Sequence, residues 1–305
     1  MSTKLNPGTD AIKEKGWLAA HKWLVLRRLS QFTILGLFLA GPLFGVWIVK
    51  GNLTSSLTLD VLPLSDPFIL VQSLIAGHVA ATTSLIGAAI VVGVYLVFGG
   101  RVYCSFVCPM NVITDASRWL AKRLDLPKGW KPARETRLWI LGALLIAAFA
   151  TGVMAWEMLN PVTVLHRGLV YGLSYTWTVA LAIFLFDLVV SRRGWCGHLC
   201  PMGAFYGLIG SVSITRVSAK RRSACNDCMD CFAVCPEPHV ITPALRGAET
   251  NTGPVILSGD CTNCGRCIDV CAKNVFEFDT RFNNSAPANE GREETAAVST
   301  DRHAA

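Results

Sequence analysis

The sequence predicts an all-α membrane bundle of four transmembrane helices followed by a small α+β module. Three observations predict it: apolar windows of membrane-crossing length, basic residues whose density alternates between those windows, and two tandem cysteine runs near the carboxyl end. The chain has 305 residues, 52% of them hydrophobic and only 16% charged, and its mean hydropathy is positive. That balance lies outside the usual range of a soluble globular domain.

The windows are Phe32 to Val49, Val79 to Phe98, Leu138 to Trp156 and Gly168 to Phe186, and none contains Lys, Arg, Asp or Glu. Each approaches the roughly 20 apolar residues that a helix needs to cross a bilayer core. Basic residues near a span are retained on the cytoplasmic side. Six precede the first window (Lys4, Lys13, Lys15, Lys22, Arg27, Arg28), and Lys50 alone follows it. Eight lie between the second and third (Arg101, Arg118, Lys122, Arg123, Lys128, Lys131, Arg134, Arg137), one in the next loop (Arg167), and six from Arg192 to Arg222. This alternation predicts a multi-pass membrane protein with both termini inside. The net charge of +7 is then an orientation signal, and nucleic acid is not expected as a partner. Arg27-Arg28 before an apolar run has the look of a twin-arginine export signal, but the run is long and no small-residue cleavage pattern follows it, so an uncleaved first span is expected. Trp17 and Trp23 among lysines suit an amphipathic segment in the headgroup region.

All twelve cysteines fall in segments assigned to the cytoplasm, where disulfides are disfavoured. Residues 225–236 read CNDCMDCFAVCP and residues 261–272 read CTNCGRCIDVCA, both C-x2-C-x2-C-x3-C. This is the cysteine pattern of two-cluster bacterial ferredoxins, in which the fourth cysteine of each run ligates the other run's cluster. One 4Fe-4S cluster would then take Cys225, Cys228, Cys231 and Cys271, and the other Cys261, Cys264, Cys267 and Cys235. Zinc, the competing reading, uses C-x2-C knuckles separated by a longer loop. Strand candidates at Gly253 to Ser258 and Val275 to Phe278 complete a small ferredoxin-like α+β domain. The division along the chain is therefore 1–30 as an amphipathic amino-terminal segment, 31–216 as the membrane domain, 217–280 as the two-cluster domain, and 281–305 as a polar tail expected to be disordered.

Residues 103–110, YCSFVCPM, and 195–202, WCGHLCPM, repeat one device about 92 residues apart: Arg, any residue, aromatic, Cys-x3-Cys-Pro-Met. The self-similarity indicates a duplicated unit. Cys104, Cys108, Cys196 and Cys200 are expected to gather at the inner edge of the bundle, with His198 beside them as a candidate proton relay or modulator of thiol acidity. Three readings stand for these thiols: packed small side chains, a redox-active dithiol set, or a third metal or cluster site. After the first copy, Val112, Ile113, Ala116, Trp119 and Leu120 recur at helical spacing opposite Arg118, Lys122 and Arg123, which predicts a helix along the interface. Asp187 is expected to pair with Arg192 or Arg193. His78, Glu157, Asn160 and His166 form a polar set on the outer side.

Taken together, the apolar windows, the paired Cys-x3-Cys-Pro motifs and the two ferredoxin runs resemble the membrane polyferredoxin group. Within it the stretches KWLVLRRLSQF, GWCGHLCPMGA, CMDCFAVCPEPHV and GRCIDVC are similar to the quinol-dehydrogenase membrane subunits of periplasmic nitrate reductase systems. The resemblance implies oxidation of quinol from the membrane pool, with electrons passed through a partner iron-sulfur protein to nitrate reductase components. An assembly or redox-sensing scaffold for a partner reductase is the alternative from another class.

Overall fold

The computed structural model describes residues 7–127, 129–130, 132–172, 175–248 and 250–284. The tail from 285 onward, and Lys4, Lys128 and Lys131 of the basic clusters, lie outside them. The chain divides into two compact units: a larger one of Leu24–Ser213 with Gly259–Cys264, and a smaller one of Met1–Trp23, Ile214–Ser258 and Gly265–Ala305.

In the larger unit the expected bundle of four spans is corrected. Among the described residues a single helix, Lys22–Phe44, is long and apolar enough to cross a membrane; its 23 residues extend about 35 Å at ~1.5 Å per residue. The other apolar helices are Thr82–Phe98, Thr136–Thr151 and Thr176–Val190. At 17 and 16 residues, the first two reach only about 25 Å, short of a ~30 Å hydrocarbon core. Composition windows overlook where the backbone turns. Val79 to Ala81 stay outside the helix, Gly152 ends the next one in the left-handed region at φ 66°, and Gly172 at φ 67° breaks the last window. Phe186–Val190 winds as a π turn instead of ending in regular helix.

Residues 49–65, expected only as an outer loop, form an antiparallel sheet of Val49–Gly51, Ser55–Thr58 and Leu62–Ser65. Val49 pairs with Thr58 and Ser56 with Leu64. The Asn52 side chain accepts from the amides of Thr54 and Ser55, both at 2.9 Å, making the first turn. Asp66 then caps the helix Pro67–Ile75, accepting from Phe68 N at 2.8 Å, with proline at the first position where no amide is needed. Its other oxygen receives the Tyr206 hydroxyl at 3.3 Å.

The helix predicted after the first Cys-Pro motif is present as Met110–Arg123, but its buried face is not the apolar one. Asn111, Thr114, Ser117 and Ala121 are buried, whereas Trp119 is 60% exposed. Thr114 and Ser117 donate to the carbonyls of Asn111 and Thr114 three residues back, so their hydroxyls enter the interior already satisfied.

In the smaller unit, Thr215–Ser218 pairs antiparallel with Glu277–Thr280. The second strand thus begins two residues later than the apolar pattern indicates, and the 253–258 segment adds only the bridge Ser218 to Val255. Residues 7–23 pack into this unit. Gly8 N donates to Asp230 at 3.0 Å, Lys15 to the Ile268 carbonyl at 3.2 Å, and Trp23 N to Asp269 at 3.1 Å. The Trp23 ring meets Phe278 edge-on at 4.7 Å. Trp17, by contrast, is exposed and stacks on His21.

Candidate functional site

The two cysteine runs have the same backbone. Asp227 (φ 52°) and Met229 (φ 64°) in the first, and Asn263 (φ 45°) and Gly265 (φ 70°) in the second, occupy the left-handed region at equivalent positions. Short helices Asp230–Val234 and Arg266–Val270 follow. Each is succeeded by the fourth cysteine in an extended conformation. These left-handed residues reverse the chain within each C-x2-C step, which turns successive thiols toward a common point. Asp227 N donates to Cys225 Sγ at 3.4 Å, and Val275 N to Cys271 Sγ at 3.4 Å.

Cys225, Cys228, Cys231 and Cys271 line one pocket that opens to solvent, with Phe232, Leu245, Val270 and Phe276 among its walls. The structure therefore brings three thiols of the first run together with the last thiol of the second. Burial pushes the Cys231 thiol up to about 12. Among the described residues no group of three or more His, Cys, Asp and Glu is arranged to hold a metal ion; a zinc thiolate site would need sulfurs roughly 3.8 Å apart, from Zn–S bonds of about 2.3 Å. A cavity ringed by four thiols, with apolar walls and backbone amides directed at sulfur, fits a polynuclear iron-sulfur group better than a point ion. Of the other four, Cys264 and Cys267 are buried and Cys235 and Cys261 half-buried; Cys261 and Cys264 belong to the larger unit, Cys235 and Cys267 to the smaller.

Both Cys-x3-Cys-Pro motifs are π turns. Tyr103–Val107 and Trp195–Leu199 each close with a bond over five residues, Cys108 N to Tyr103 O and Cys200 N to Trp195 O, both 2.9 Å. Cys108 (ψ 119°) and Cys200 (ψ 113°) then extend, as a residue preceding proline must, and a helix starts beyond. Such widened turns concentrate at functional sites because the extra residue re-aims the side chains. Cys104, Cys108 and Cys200 pack against the core formed by Phe68, Tyr103, Met202 and Tyr206. Cys196 lies 3.9 Å from the Thr114 hydroxyl. Burial pushes all four thiols up, Cys200 to about 12, and neighbouring cysteines of the set push Cys108, Cys196 and Cys200 further. The four thus sit within electrostatic reach of one another. His198, half-buried, shares the second turn.

Sequence reasoning missed the arginines. Arg27, Arg101, Arg137 and Arg193 were counted as topology charges, yet they are only 1%, 3%, 6% and 8% exposed. Arg101 donates to the Asp260 carbonyl at 2.8 Å and reaches the Cys196 carbonyl at 3.5 Å. Arg137 pairs with the Asp260 carboxylate. Arg193 and Arg28 both pair with Asp115. For Arg101 and Arg193 the signal was available in the repeated Arg-x-aromatic-Cys. Asp187 takes the Trp195 amide at 2.9 Å, and the charge of Arg193, one of the two partners expected for it, acts on the same carboxylate. On the other side, His78 bonds the Gly152 carbonyl at 3.1 Å, Asn160 caps Pro161–Tyr171, and Glu157 lies 3.8 Å from Arg167; His166 packs edge-on against Phe38. These four polar residues are spread over separate structural tasks.

Comparison with known proteins places iron-sulfur families on both thiol sets. A 4Fe-4S binding domain matches residues 80–127 and again 173–221, one copy around each Cys-x3-Cys-Pro motif, and a 4Fe-4S dicluster domain matches 224–275. The methylamine utilization ferredoxin-type protein MauN of Methylorubrum extorquens is 55% identical over 91% of this chain and 96% of its own length. The ferredoxin-type protein NapH of Escherichia coli is 48% identical over 93% of this chain and 98% of its own. More remotely, the putative electron transport protein YccM of Escherichia coli is 24% identical over 87% of this chain. No solved structure matches.

Proposed function

The chain belongs to the ferredoxin-type family that includes NapH and MauN, with iron-sulfur electron transfer as its chemistry, and from that premise we propose a membrane-bound subunit that takes electrons from quinol and passes them toward a periplasmic nitrate reductase. The observation that carries the reading is the cavity shared by Cys225, Cys228, Cys231 and Cys271, which supports one cluster there. The second would be held by Cys261, Cys264, Cys267 and Cys235, and a third iron-sulfur group by Cys104, Cys108, Cys196 and Cys200, each of whose motifs falls in a matched 4Fe-4S binding segment.

A bound cluster supplies a one-electron couple. The protein's own residues do the rest. Left-handed Asp227 and Met229 shape the first loop, Phe232 and Phe276 dry one wall of the cavity, and the amides of Asp227 and Val275 soften the charge on sulfur by hydrogen bonding. Quinol loses two electrons and two protons to become quinone; single-electron centres take the electrons one at a time and the protons go to solvent. Membrane attachment is supported by Lys22–Phe44 and by exposed apolar side chains such as Trp139, Ile146 and Phe149 on Thr136–Thr151, which need lipid or a partner to cover them. The amino-terminal segment and the cysteine runs would face the cytoplasm.

Two measurements test this. Anaerobically purified protein should hold about eight irons and eight labile sulfides for two cubanes, and more if the third set is filled; zinc without labile sulfide sinks the proposal. Anaerobic titration with duroquinol should bleach the cluster absorbance, and failure to do so while a partner enzyme still copurifies favours the scaffold. The 55% identity to MauN favours a second reading of the acceptor, an enzyme of methylamine utilization, and electron delivery to each purified acceptor separates the two.

A further inference from the structure

The segment 259–264 carries Cys261 and Cys264 and belongs to the same compact unit as both Cys-x3-Cys-Pro turns. Thr262 and Asp260 connect it to them. Ser105, between Cys104 and Cys108, donates its hydroxyl to the Thr262 carbonyl at 2.9 Å; Thr262 lies between Cys261 and Cys264. Arg101 donates to the Asp260 carbonyl at 2.8 Å and reaches the carbonyl of Cys196 at 3.5 Å, and it also hydrogen-bonds the Cys104 thiol. Arg137 pairs with the Asp260 carboxylate and approaches the Gly197 carbonyl, between Cys196 and Cys200, at 3.5 Å. Asn263 donates to the Phe98 carbonyl at 3.1 Å. Gly259 seats against the backbone of Pro201–Val212 so closely that a Cβ there would lie 2.2 Å from the Gly207 carbonyl oxygen.

These contacts use buried charge. Arg101 and Arg137 are 3% and 6% exposed, and a buried guanidinium is tolerated only where carbonyls and a carboxylate satisfy its donors. Surface attachment of a loop needs no such outlay. The partners are also selective: they are residues within the thiol motifs of one set or immediately flanking the thiols of the other.

We propose that Arg101, Ser105 and Arg137 form a clamp that holds the four thiols of the paired Cys-x3-Cys-Pro turns in fixed register with Cys261 and Cys264, making this the route by which electrons cross between the two thiol sets. The proposal rests on the reading above that both sets hold iron-sulfur groups. One electron leaves the donor set as one arrives at the acceptor set, with no bond made and no proton moved; quinol is the reductant. The three residues are positioning residues. Electron transfer slows steeply as distance grows and fluctuates, and a loop tied by several buried bonds to a rigid element holds its geometry far better than one left to solvent.

The experiment uses the full chain, purified anaerobically in detergent, with Ser105→Ala, Asp260→Asn and Cys104→Ala. Iron content tests the reading: it should fall in Cys104→Ala and stay at the wild-type value in the other two. Amide exchange across 259–264 tests the clamp, and should speed up at least tenfold in Ser105→Ala and Asp260→Asn. Stopped-flow reduction by duroquinol tests the route, and should slow at least tenfold in both clamp variants, while dithionite still reduces every centre to the wild-type extent. Iron that falls in Cys104→Ala, together with unchanged exchange or an unchanged quinol rate in the clamp variants, overturns the clamp while leaving the reading intact. Iron unchanged in Cys104→Ala removes the redox centre at the paired turns, and the proposed route with it.

Discussion

Gly265→Ala isolates what residue 265 does for the second cysteine run. Gly265 lies between Cys264 and Cys267 at φ 70°, and a Cβ built there would stand 2.4 Å from Cγ and 2.7 Å from Cβ of Trp23. Two costs add. Holding a non-glycine residue in the left-handed region costs about 1–2 kcal/mol, and forcing a methyl against a packed indole costs about 1–3 kcal/mol. Together they give about 2–5 kcal/mol, at ~1.4 kcal/mol per factor of ten a local opening that is 30-fold or more easier. The assay is amide exchange over Arg266–Val270 in the iron-loaded protein, where the Trp23 amide bond to Asp269 at 3.1 Å reports the same contact. Trp23→Ala removes the indole, so in that background Gly265→Ala should cost only the backbone part of about 1–2 kcal/mol, leaving a coupling of roughly 1–3 kcal/mol. Equal effects of Gly265→Ala with and without the indole refute the packing of residues 7–23 against this run.

Asp115→Asn leaves Arg193 without its carboxylate in a site where the arginine side chain is 9% exposed. Stability should drop by about 3–5 kcal/mol, read as a lower temperature of inactivation and faster alkylation in the second Cys-Pro turn; unchanged values count against the buried pair. Cys271→Ala in the loaded protein should open Cys225 and Cys228 to alkylation while Cys261 and Cys264 stay protected, and the reverse pattern refutes the shared cavity. Burial raises the Asp66 carboxyl from 3.8 to about 6. Because the folded value is the higher one, its contribution is fully present below 3.8 and is lost as pH rises to about 6, so stability should fall across that interval by an amount on the order of 3 kcal/mol. Asp66→Asn keeps the helix cap, accepting through its amide oxygen, and should flatten that slope in thermal melts; a slope that survives assigns it to another group.

The chemistry of the thiols was legible because ligand spacing is local. Cys225 to Cys231 and Cys261 to Cys267 are each set by a few residues of chain, and left-handed Asp227, Met229, Asn263 and Gly265 carry out what the spacing demands. The repeat of Arg-x-aromatic-Cys-x3-Cys-Pro likewise reappears as two π turns with matching ends. The helix Met110–Arg123 was legible in extent, but not in which face it buries. Thr114 and Ser117 satisfy themselves, and hydropathy treats them as surface residues.

What the sequence by itself determined is the iron-sulfur character, since thiols a few residues apart converge whatever the rest of the molecule does. Only the tertiary structure decided the roles of Arg101, Arg137 and Arg193, whose partners include Asp260 and Asp115, 78 to 159 residues away. It also decided how long each apolar helix runs, because glycines at 152 and 172 in the left-handed region end helices that composition would continue. A charge on a membrane protein's sequence reads as topology until burial is known; a guanidinium removed from water needs specific carbonyls and carboxylates, and these are supplied only when distant segments fold together.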